Sequence, residues 1–340
     1  MSYLGSVNSV SCLLKYVNFE FLSEYQFLLE NNEFSNPLRQ FYGVWFRGHS
    51  SQIQDVQPRV FRKTNFPSIV DADELENGTF DETSLVSSFQ LHLPEHAVLH
   101  SSLFDWLCLM QEHGAPTRLL DWTEHALVAL HFAVVDEQYD DEPGELIILN
   151  GLKLNHHVLR MPVMAHTGSP SVEFRASMAA NTSLEEWANE IERTLPVDIN
   201  VEAKTIQHNV RGVNPNEIST YANPIAVMPR RLNERMKRQA ARFTLHGGKT
   251  YQPRSGSPLP STVSLFKYHE SLTEEGNASP FIIRLCVPAD YKRRIRSELR
   301  WLGIRNEDLF PEIDHQARHL GYFWTRSHAD VKHPCRKTWR

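Results

Sequence analysis

The sequence predicts an α+β fold, with a single domain built on a mixed or antiparallel sheet that is packed by helices. Short apolar runs typical of buried strands, at residues 41–47 and 144–149, occur among longer stretches whose apolar residues recur at helical spacing. No internal repeat or long low-complexity linker divides the 340 residues. We therefore expect one domain over residues 1–326, with 155–217 as a candidate insertion and 327–340 as a tail.

The composition is that of a globular protein and excludes several other classes. Hydrophobic residues make up 41% of the chain and charged residues 22%, which is enough to bury a full core. No apolar run reaches the roughly 20 residues needed to cross a membrane, and the N-terminus lacks the basic start of a secretion signal. The four cysteines have no paired spacing, so neither a metal site nor a disulfide scaffold is expected. A cytoplasmic location without membrane contact follows as the expectation.

Charge is unevenly distributed along the chain. The net charge of −6 argues against a protein that coats nucleic acid indiscriminately. Basic residues nevertheless crowd 230–242, 292–305 and 332–340, and local basic patches bind phosphates even in acidic proteins. For 292–300 we favour the simpler interpretation, the solvated face of a helix.

The first half of the chain predicts a helix over 15–31, an aromatic strand over 41–47 and a helix around 82–92. The strand ends in Arg47, followed by Gly48. A guanidinium has a fixed fork of donors that suits a pyrophosphate or a carboxylate, and glycine lets a backbone or a ligand approach closely. The alternative is that Arg47 forms an ion pair with Asp121 or another carboxylate.

The segment 111–125 joins two apolar helical patterns, 98–110 and 126–134, and we interpret it as a polar turn. Gly114 and a following proline should end the first helix, and Thr123 can cap the second. The segment is dense in groups able to do chemistry: His113, Thr117, Arg118, Asp121, Trp122 and His125. Arg118 and Asp121 are near enough in sequence to pair. Two interpretations stay open, a buried polar network that serves packing and a functional site.

The second half predicts a capped helix over 183–195, a strand over 281–287 and a basic helix over 290–302 that ends at a glycine. Between them, an arginine-rich helix over 231–238 should run into a strand over 242–246. Its arginines would share one face and repel one another. An anionic partner or solvent screening would relieve that repulsion.

Four motifs resemble the FRG domain family, which is named for its Phe-Arg-Gly signature. They are Trp45-Phe-Arg-Gly48, the run Leu109–Thr123 with its apolar continuation, Asn233-x-Arg-x-x-x-Gln-x-x-x-Phe243, and Leu309-Phe-Pro-Glu-Ile-Asp314. They cover roughly residues 20–325 in the order of the family.

The Arg47-Gly48 pair is also similar to the Arg-Gly that opens many ADP-ribosyltransferases, which implies a sheet core of that type and NAD as substrate, without a metal. Toxins of that kind that modify nucleic acids have a basic helix leading to a catalytic glutamate. Here Gln239 stands nearest that place. The resemblance implies NAD binding by Arg47, Gly48, Thr117, Arg118, Trp122 and Thr123, and catalysis by Arg47, His113, Asp121 and Gln239.

The partners implied by the resemblance are nucleic acid, RNA in preference to DNA, and an antitoxin protein. The nucleic acid would contact Arg231, Arg235, Arg238 and Arg242. The expected function is that of an ADP-ribosyltransferase toxin in a bacterial toxin–antitoxin or phage-defence system. Two alternatives are a metal-independent ribonuclease using His49, His113 or His125 as acid and base, and a non-catalytic module that binds a nucleotide or a partner.

Overall fold

The computed structural model describes the chain in ten stretches. They are residues 2–28, 43–52, 56–62, 82–98, 100, 102–160, 163–180, 219–248, 262–274 and 279–325. Within them, eight strands form one mixed sheet and helices cover both of its faces. The α+β prediction with a mixed sheet is confirmed.

The eight strands are, in chain order, β1 (Gly5–Ser6), β2 (Val44–His49), β3 (Leu119–Thr123), β4 (Gly144–Asn150), β5 (Ala165–His166), β6 (Ile225–Met228), β7 (Ala241–Leu245) and β8 (Ile282–Val287). Their order across the sheet is β1-β8-β4-β2-β3-β7-β6-β5. The six central strands are antiparallel, and the short edge strands β1 and β5 each add in parallel.

The junction between β2 and β3 divides the sheet into two halves. β2 is in register with β4 along its whole length, and β3 likewise with β7. Between β2 and β3 only Phe46 and Thr123 are paired. Beyond that pair the two strands separate, so a gap opens in the middle of the sheet at the end of β2 that carries Arg47.

The described helices are α1 (Val10–Tyr16), α2 (Phe19–Glu24), α3 (Glu82–His92), α4 (Leu103–Glu112), α5 (Ala126–Phe132), α6 (Gly151–Leu159), α7 (Pro170–Ser177), α8 (Glu234–Arg238), α9 (Leu265–Glu274), α10 (Lys292–Trp301), α11 (Asn306–Leu309) and α12 (Ile313–Thr325). Alternate residues of the central strands enter different cores, as the two-residue period of a strand requires. Phe46 packs with α5 and α10 on one face, whereas Trp45 packs with α9 on the other. The sheet is therefore buried on both faces.

Three predicted elements differ from the structure. The helix expected over 15–31 is replaced by α1 and α2, because the Asn18 side chain caps a new helix by accepting from the Phe21 N–H at 2.8 Å. The segment 111–125 is not a simple turn, since it contains β3. The arginine-rich helix is only α8, and its cap is Asn233, so Arg231 lies before the helix and shares no helical face with Arg235.

Part of the candidate insertion 155–217 is built into the core. Residues 163–180 supply β5 and α7, and Val172 and Ala176 of α7 are fully buried beside β6 and β7. The helix predicted over 183–195 and the tail 327–340 lie outside the described residues. Of the helices that the structure describes, none has the length and apolar character needed to span a membrane.

Candidate active site at the gap between β2 and β3

The structure brings Arg47 and Asp121 together across the gap between β2 and β3. Arg47 Nη1 donates to the backbone carbonyl of Asp121 at 2.7 Å and lies 4.0 Å from Asp121 Oδ2. The Arg47 side chain is 15% exposed and that of Asp121 is 58% exposed. A cation and a carboxylate thus lie side by side at the opening, with the cation set deeper.

The guanidinium of Arg47 is incompletely satisfied. Its Nε is buried and has no hydrogen-bond partner among the described residues. Burial lowers the pKa of Arg47 to about 10, the charge of Asp121 opposes that shift and the charge of Arg62 adds to it. Arg47 stays protonated at neutral pH, so the end of β2 holds a positive charge with one buried, unused donor.

A chain of hydrogen bonds fixes the orientation of Asp121. The fully buried Thr117 donates from Oγ1 to Gln111 Oε1 at 2.6 Å, and Gln111 Nε2 donates to Asp121 Oδ2 at 2.7 Å. Thr117 Oγ1 also accepts from the Leu119 N–H at 3.2 Å. The hydroxyl of Thr117 is therefore committed to the protein, and its contribution to a site is to set the Gln111 amide that holds the carboxylate.

The predicted pairing of Arg118 with Asp121 is wrong. The partner of Arg118 is Glu82, at the start of α3. The two side chains form a bidentate ion pair, and both are almost completely buried. Arg118 Nη1 also donates to the carbonyls of His246 and Gly248, at 3.2 and 3.3 Å. The cation is enclosed by protein, as the packing interpretation of the segment required.

Gly48 is required by packing against α5. A Cβ atom at this position would lie 1.7 Å from the carbonyl oxygen of Ala129 and 2.7 Å from the Ala133 nitrogen. The sequence predicted that Gly48 lets either a backbone or a ligand come close. The structure shows that a backbone does, namely that of α5. The close contact holds α5 against β2 and so fixes the end of the strand that presents Arg47.

The three histidines considered for acid–base chemistry occupy different surroundings. His49 Nδ1 lies 3.1 Å from the Ser51 carbonyl, and burial together with the charge of Arg47 lowers the pKa of His49 to about 4. It is therefore neutral at pH 7 and lacks the second ring proton that an imidazolium gives up as a general acid. His113 follows α4 and His125 precedes α5, and both side chains are exposed.

Trp122 and Thr123 are held inside the protein. Trp122 is 3% exposed and its indole nitrogen donates to Thr244 Oγ1 at 3.1 Å, so its ring belongs to the core rather than to an open surface. Thr123 Oγ1 donates to the Gln239 carbonyl at 2.7 Å and accepts from the His125 N–H at 3.0 Å. The predicted capping by Thr123 thus acts on the residue just before α5.

Gln239 ends α8, and its side-chain Nε2 donates to the Leu309 carbonyl at 3.1 Å. Its backbone carbonyl accepts from Thr123, so it touches β3 through the main chain. The amide thus holds α11 against α8.

The arginines predicted to contact nucleic acid all have hydrogen-bond partners within the protein. Glu124 accepts from both Arg231 and Arg242, each at 2.5 Å. Arg235 donates to the Glu112 carbonyl at 2.9 Å and lies over the Phe310 ring. Arg238 donates to the Asp308 carbonyl at 3.1 Å and stays exposed. The repulsion expected among them is relieved by carboxylates and carbonyls of the protein itself.

Glu112 is a polar residue of this region that sequence reasoning missed. It accepts a hydrogen bond from Asn233 Nδ2 through Oε2, while Oε1 is buried without a hydrogen-bond partner among the described residues. Burial raises the pKa of Glu112 to about 7, and the charges of Glu312 and Asp121 act in the same direction. Glu112 lies in the last turn of an apolar helix, where no local signal distinguishes a buried carboxylate from an exposed one.

The described residues hold no cluster of three or more histidine, cysteine, aspartate or glutamate side chains that could ligate a metal ion. What the gap does offer is a guanidinium on β2, a carboxylate on β3 and an amide on α4 that donates to that carboxylate. These groups suit a ligand with an anionic part and hydroxyl groups.

This part of the chain matches a known protein family. Residues 42–142 match the FRG domain. The FRG region includes β2, α4, β3 and α5, and therefore the gap with Arg47, Gln111, Thr117 and Asp121. The two further motifs, around 233–243 and 309–314, lie beyond the FRG region. No curated protein and no solved structure matches the chain.

Proposed function

We propose that the chain is an NAD-dependent ADP-ribosyltransferase that modifies nucleic acid, RNA in preference to DNA, as the toxin of a bacterial toxin–antitoxin or phage-defence system. One observation carries the proposal: Arg47, with a buried unfilled donor, lies 4.0 Å from the exposed carboxylate of Asp121 at the gap in the sheet. The RNA, toxin and antitoxin parts rest on the resemblance to toxins of this kind.

Arg47 would bind the diphosphate of NAD. A guanidinium forms paired, charge-assisted hydrogen bonds with phosphate oxygens, and the unfilled Nε supplies one donor that the protein leaves unused. Its partial burial strengthens such bonds, because water competes less there.

The carboxylate of Asp121 would act on the ribose. When the bond between ribose C1′ and nicotinamide breaks, its electron pair leaves with nicotinamide and positive charge develops on the ribose. A fixed carboxylate stabilises that charge, and Gln111 holds Asp121 in place. The acceptor then bonds to C1′ and loses its proton to a base, for which His113 is our candidate.

Asp121 takes the electrostatic role in this scheme because Gln239 is uncharged and its amide is bound to the Leu309 carbonyl. Arg118, Trp122 and Thr117 support the site from within the fold rather than by touching NAD, since each is buried with its polar groups paired.

The test is transfer of label from NAD carrying radioactive phosphate on its adenylate half, offered RNA, DNA or cell lysate without any antitoxin. We expect labelled RNA, and a loss of about tenfold or more in Arg47→Lys, since a lysine cannot reproduce the fork and tenfold corresponds to about 1.4 kcal/mol. Arg59→Lys is the matched control, because Arg59 also donates to a carbonyl of the segment, that of Gly114 at 2.8 Å, but is exposed.

Four outcomes would overturn the proposal. Label transferred to no acceptor would remove the activity itself. RNA lost without NAD would favour the ribonuclease, and NAD bound without turnover would favour the non-catalytic module. Equal losses of label transfer in Arg47→Lys and Arg59→Lys would show that the activity does not depend on the gap.

A further inference from the structure

The outer face of α10 exposes a tryptophan that the fold does not use. Trp301 is 90% exposed and Leu302 beside it is 56% exposed. The three other tryptophans whose side chains are described, Trp45, Trp106 and Trp122, are at most 5% exposed. An exposed indole offers a large flat apolar surface, with an N–H donor at its edge, for a partner to cover.

Exposed arginines surround this tryptophan on the same helix. Arg294 precedes Trp301 by seven residues and Arg293 precedes Arg300 by seven, so each pair is aligned over two helical turns. Arg293 is 83% exposed and Arg294 is 62% exposed, and each has one carboxylate partner, Asp140 and Glu298 respectively. Arg300 is exposed and makes no side-chain hydrogen bond or ion pair with the described part of the chain.

A series of contacts connects this face to the gap in the sheet. After α10 the chain turns at Gly303, and Arg305 comes within 4.0 Å of Asp308. The carbonyl of Asp308 accepts from Arg238 at 3.1 Å. The residue that follows α8, Gln239, accepts from Thr123 of β3 through its backbone carbonyl. Exposed cations therefore continue from α10 to Arg238, whose neighbour Gln239 is bonded to the strand that carries Asp121.

We propose that this basic strip, formed by Arg293, Arg294, Arg300, Trp301, Arg305 and Arg238, binds single-stranded RNA and leads it to the gap. The proposal rests on the proposed function, of which it names the surface that holds the acceptor. Bases of an unpaired strand stack on an exposed aromatic ring, while arginines follow the phosphates. A duplex hides its base faces, which is why a single strand fits Trp301 better.

Binding of a fluorescein-labelled single-stranded RNA to the full chain, followed by anisotropy without NAD, tests this. We expect Trp301→Ala to weaken binding by about 5- to 150-fold, the range for loss of one stacked base, and Trp301→Phe to weaken it much less. Arg300→Glu should weaken binding and lower the slope of log affinity against log salt by about 0.7, because one phosphate contact is lost. RNA should quench the fluorescence of Trp301, and Trp301→Phe should lack that part of the quenching.

Matched controls come from exposed residues outside the strip. Leu91→Ala removes an apolar side chain that is 80% exposed on α3, and Lys267→Glu reverses an exposed charge on α9. Both should bind RNA as the unaltered chain does, and melting temperatures should agree across the set because none of these side chains is buried.

The binding assay separates this inference from the proposed function. RNA bound through the strip without transfer of ADP-ribose would overturn the function and leave the strip standing. Transfer to RNA that is equally efficient in Trp301→Ala and Arg300→Glu would overturn the strip alone. Tighter binding of duplex than of single strands, or a dimer of the chain abolished by Trp301→Ala with no RNA bound, would also overturn it.

Discussion

Arg47 lies on β2, and Arg118 directly precedes the neighbouring strand β3. Both side chains are largely buried, yet their surroundings differ. Arg118 forms a bidentate pair with Glu82, donates to two carbonyls and lies over the Phe61 ring. Arg47 has one carbonyl at hydrogen-bond distance, a carboxylate 4.0 Å away and a buried Nε without a described partner.

The difference separates a structural cation from one with capacity for a ligand. Buried polar groups in folded proteins are almost always hydrogen-bonded, so an unfilled donor needs an explanation. Arg118 has no such unfilled donor, and its charge is enclosed by the protein. At Arg47 the unfilled donor coincides with an exposed carboxylate at a gap in the sheet, and in the proposed function the substrate supplies the missing partner.

The largest effect we predict is on stability, from Arg118→Ala. Removing one member of a buried ion pair leaves the other charge uncompensated, which costs about 3–5 kcal/mol. Arg47→Ala should cost only about 1 kcal/mol, the net value of an ordinary hydrogen bond. Urea unfolding followed by circular dichroism measures both.

A double variant makes this comparison sharper. Arg118→Met combined with Glu82→Gln removes both charges, so it should be more stable than Arg118→Ala alone. If Arg47→Ala destabilised the protein as much as Arg118→Ala, the distinction between a structural cation and a ligand-binding one would be lost.

The next effect concerns Gly48, the neighbour of Arg47. Gly48→Ala places a Cβ 1.7 Å from the Ala129 carbonyl oxygen, so either β2 or α5 must move, at a cost of about 3 kcal/mol. Gly321→Ala is the matched control, because a Cβ there meets nothing within 4 Å. It should leave stability unchanged or raise it slightly.

The same variant distinguishes packing from ligand binding at Gly48. The contact with α5 requires that stability falls. A Gly48→Ala protein that unfolds like the parent but binds NAD more weakly would instead show that the glycine makes room for the ligand.

The sequence predicted the elements whose pattern is local. The aromatic strand that ends at Arg47 and the strand over 144–149 follow from short apolar runs, and the end of α10 at Gly303 follows from the left-handed conformation that glycine adopts. β3 was missed because its five residues, Leu-Leu-Asp-Trp-Thr, are too few and too mixed to show a period. Its identity as a strand comes from pairing with β7, more than 100 residues away.

The candidate site was predictable only in part, because several of its contacts also join residues that are far apart in the sequence. Arg47 and Asp121 stood out because each follows or interrupts an apolar run. Their partners did not: Glu82 is 36 positions from Arg118, and sequence spacing favoured the nearer Asp121. Glu112 depends on Asn233, 121 positions away, so its burial could not be read from the helix on which it lies.

The smallest effect we predict extends the comparison to two carboxylates, Glu82 and Glu112. Both Glu82 oxygens accept from Arg118, whereas Glu112 Oε1 is buried with no described partner and burial raises the pKa of Glu112 to about 7. Between about pH 4.5, near the pKa of an unfolded glutamate, and pH 7, the folded protein therefore binds more protons at this position than the unfolded chain. Its contribution to stability is fully present at low pH and is lost as the pH rises through 7.

Glu112→Gln keeps the side-chain shape and removes this titration. From pH 5 to pH 8 its free energy of unfolding should rise relative to the parent by about 1 kcal/mol, a value reduced from that of the full shift because the group is partly solvated. Glu312→Gln should move the window to lower pH, since the charge of Glu312 helps to raise the pKa of Glu112. Glu82→Gln should destabilise at both ends of the range, because Arg118 then keeps a buried charge without its counter-ion. The prediction is wrong if the free energies of unfolding of Glu112→Gln and the parent differ by the same amount from pH 5 to pH 8. Glu112 would then resemble Glu82, a carboxylate whose charge the fold stabilises.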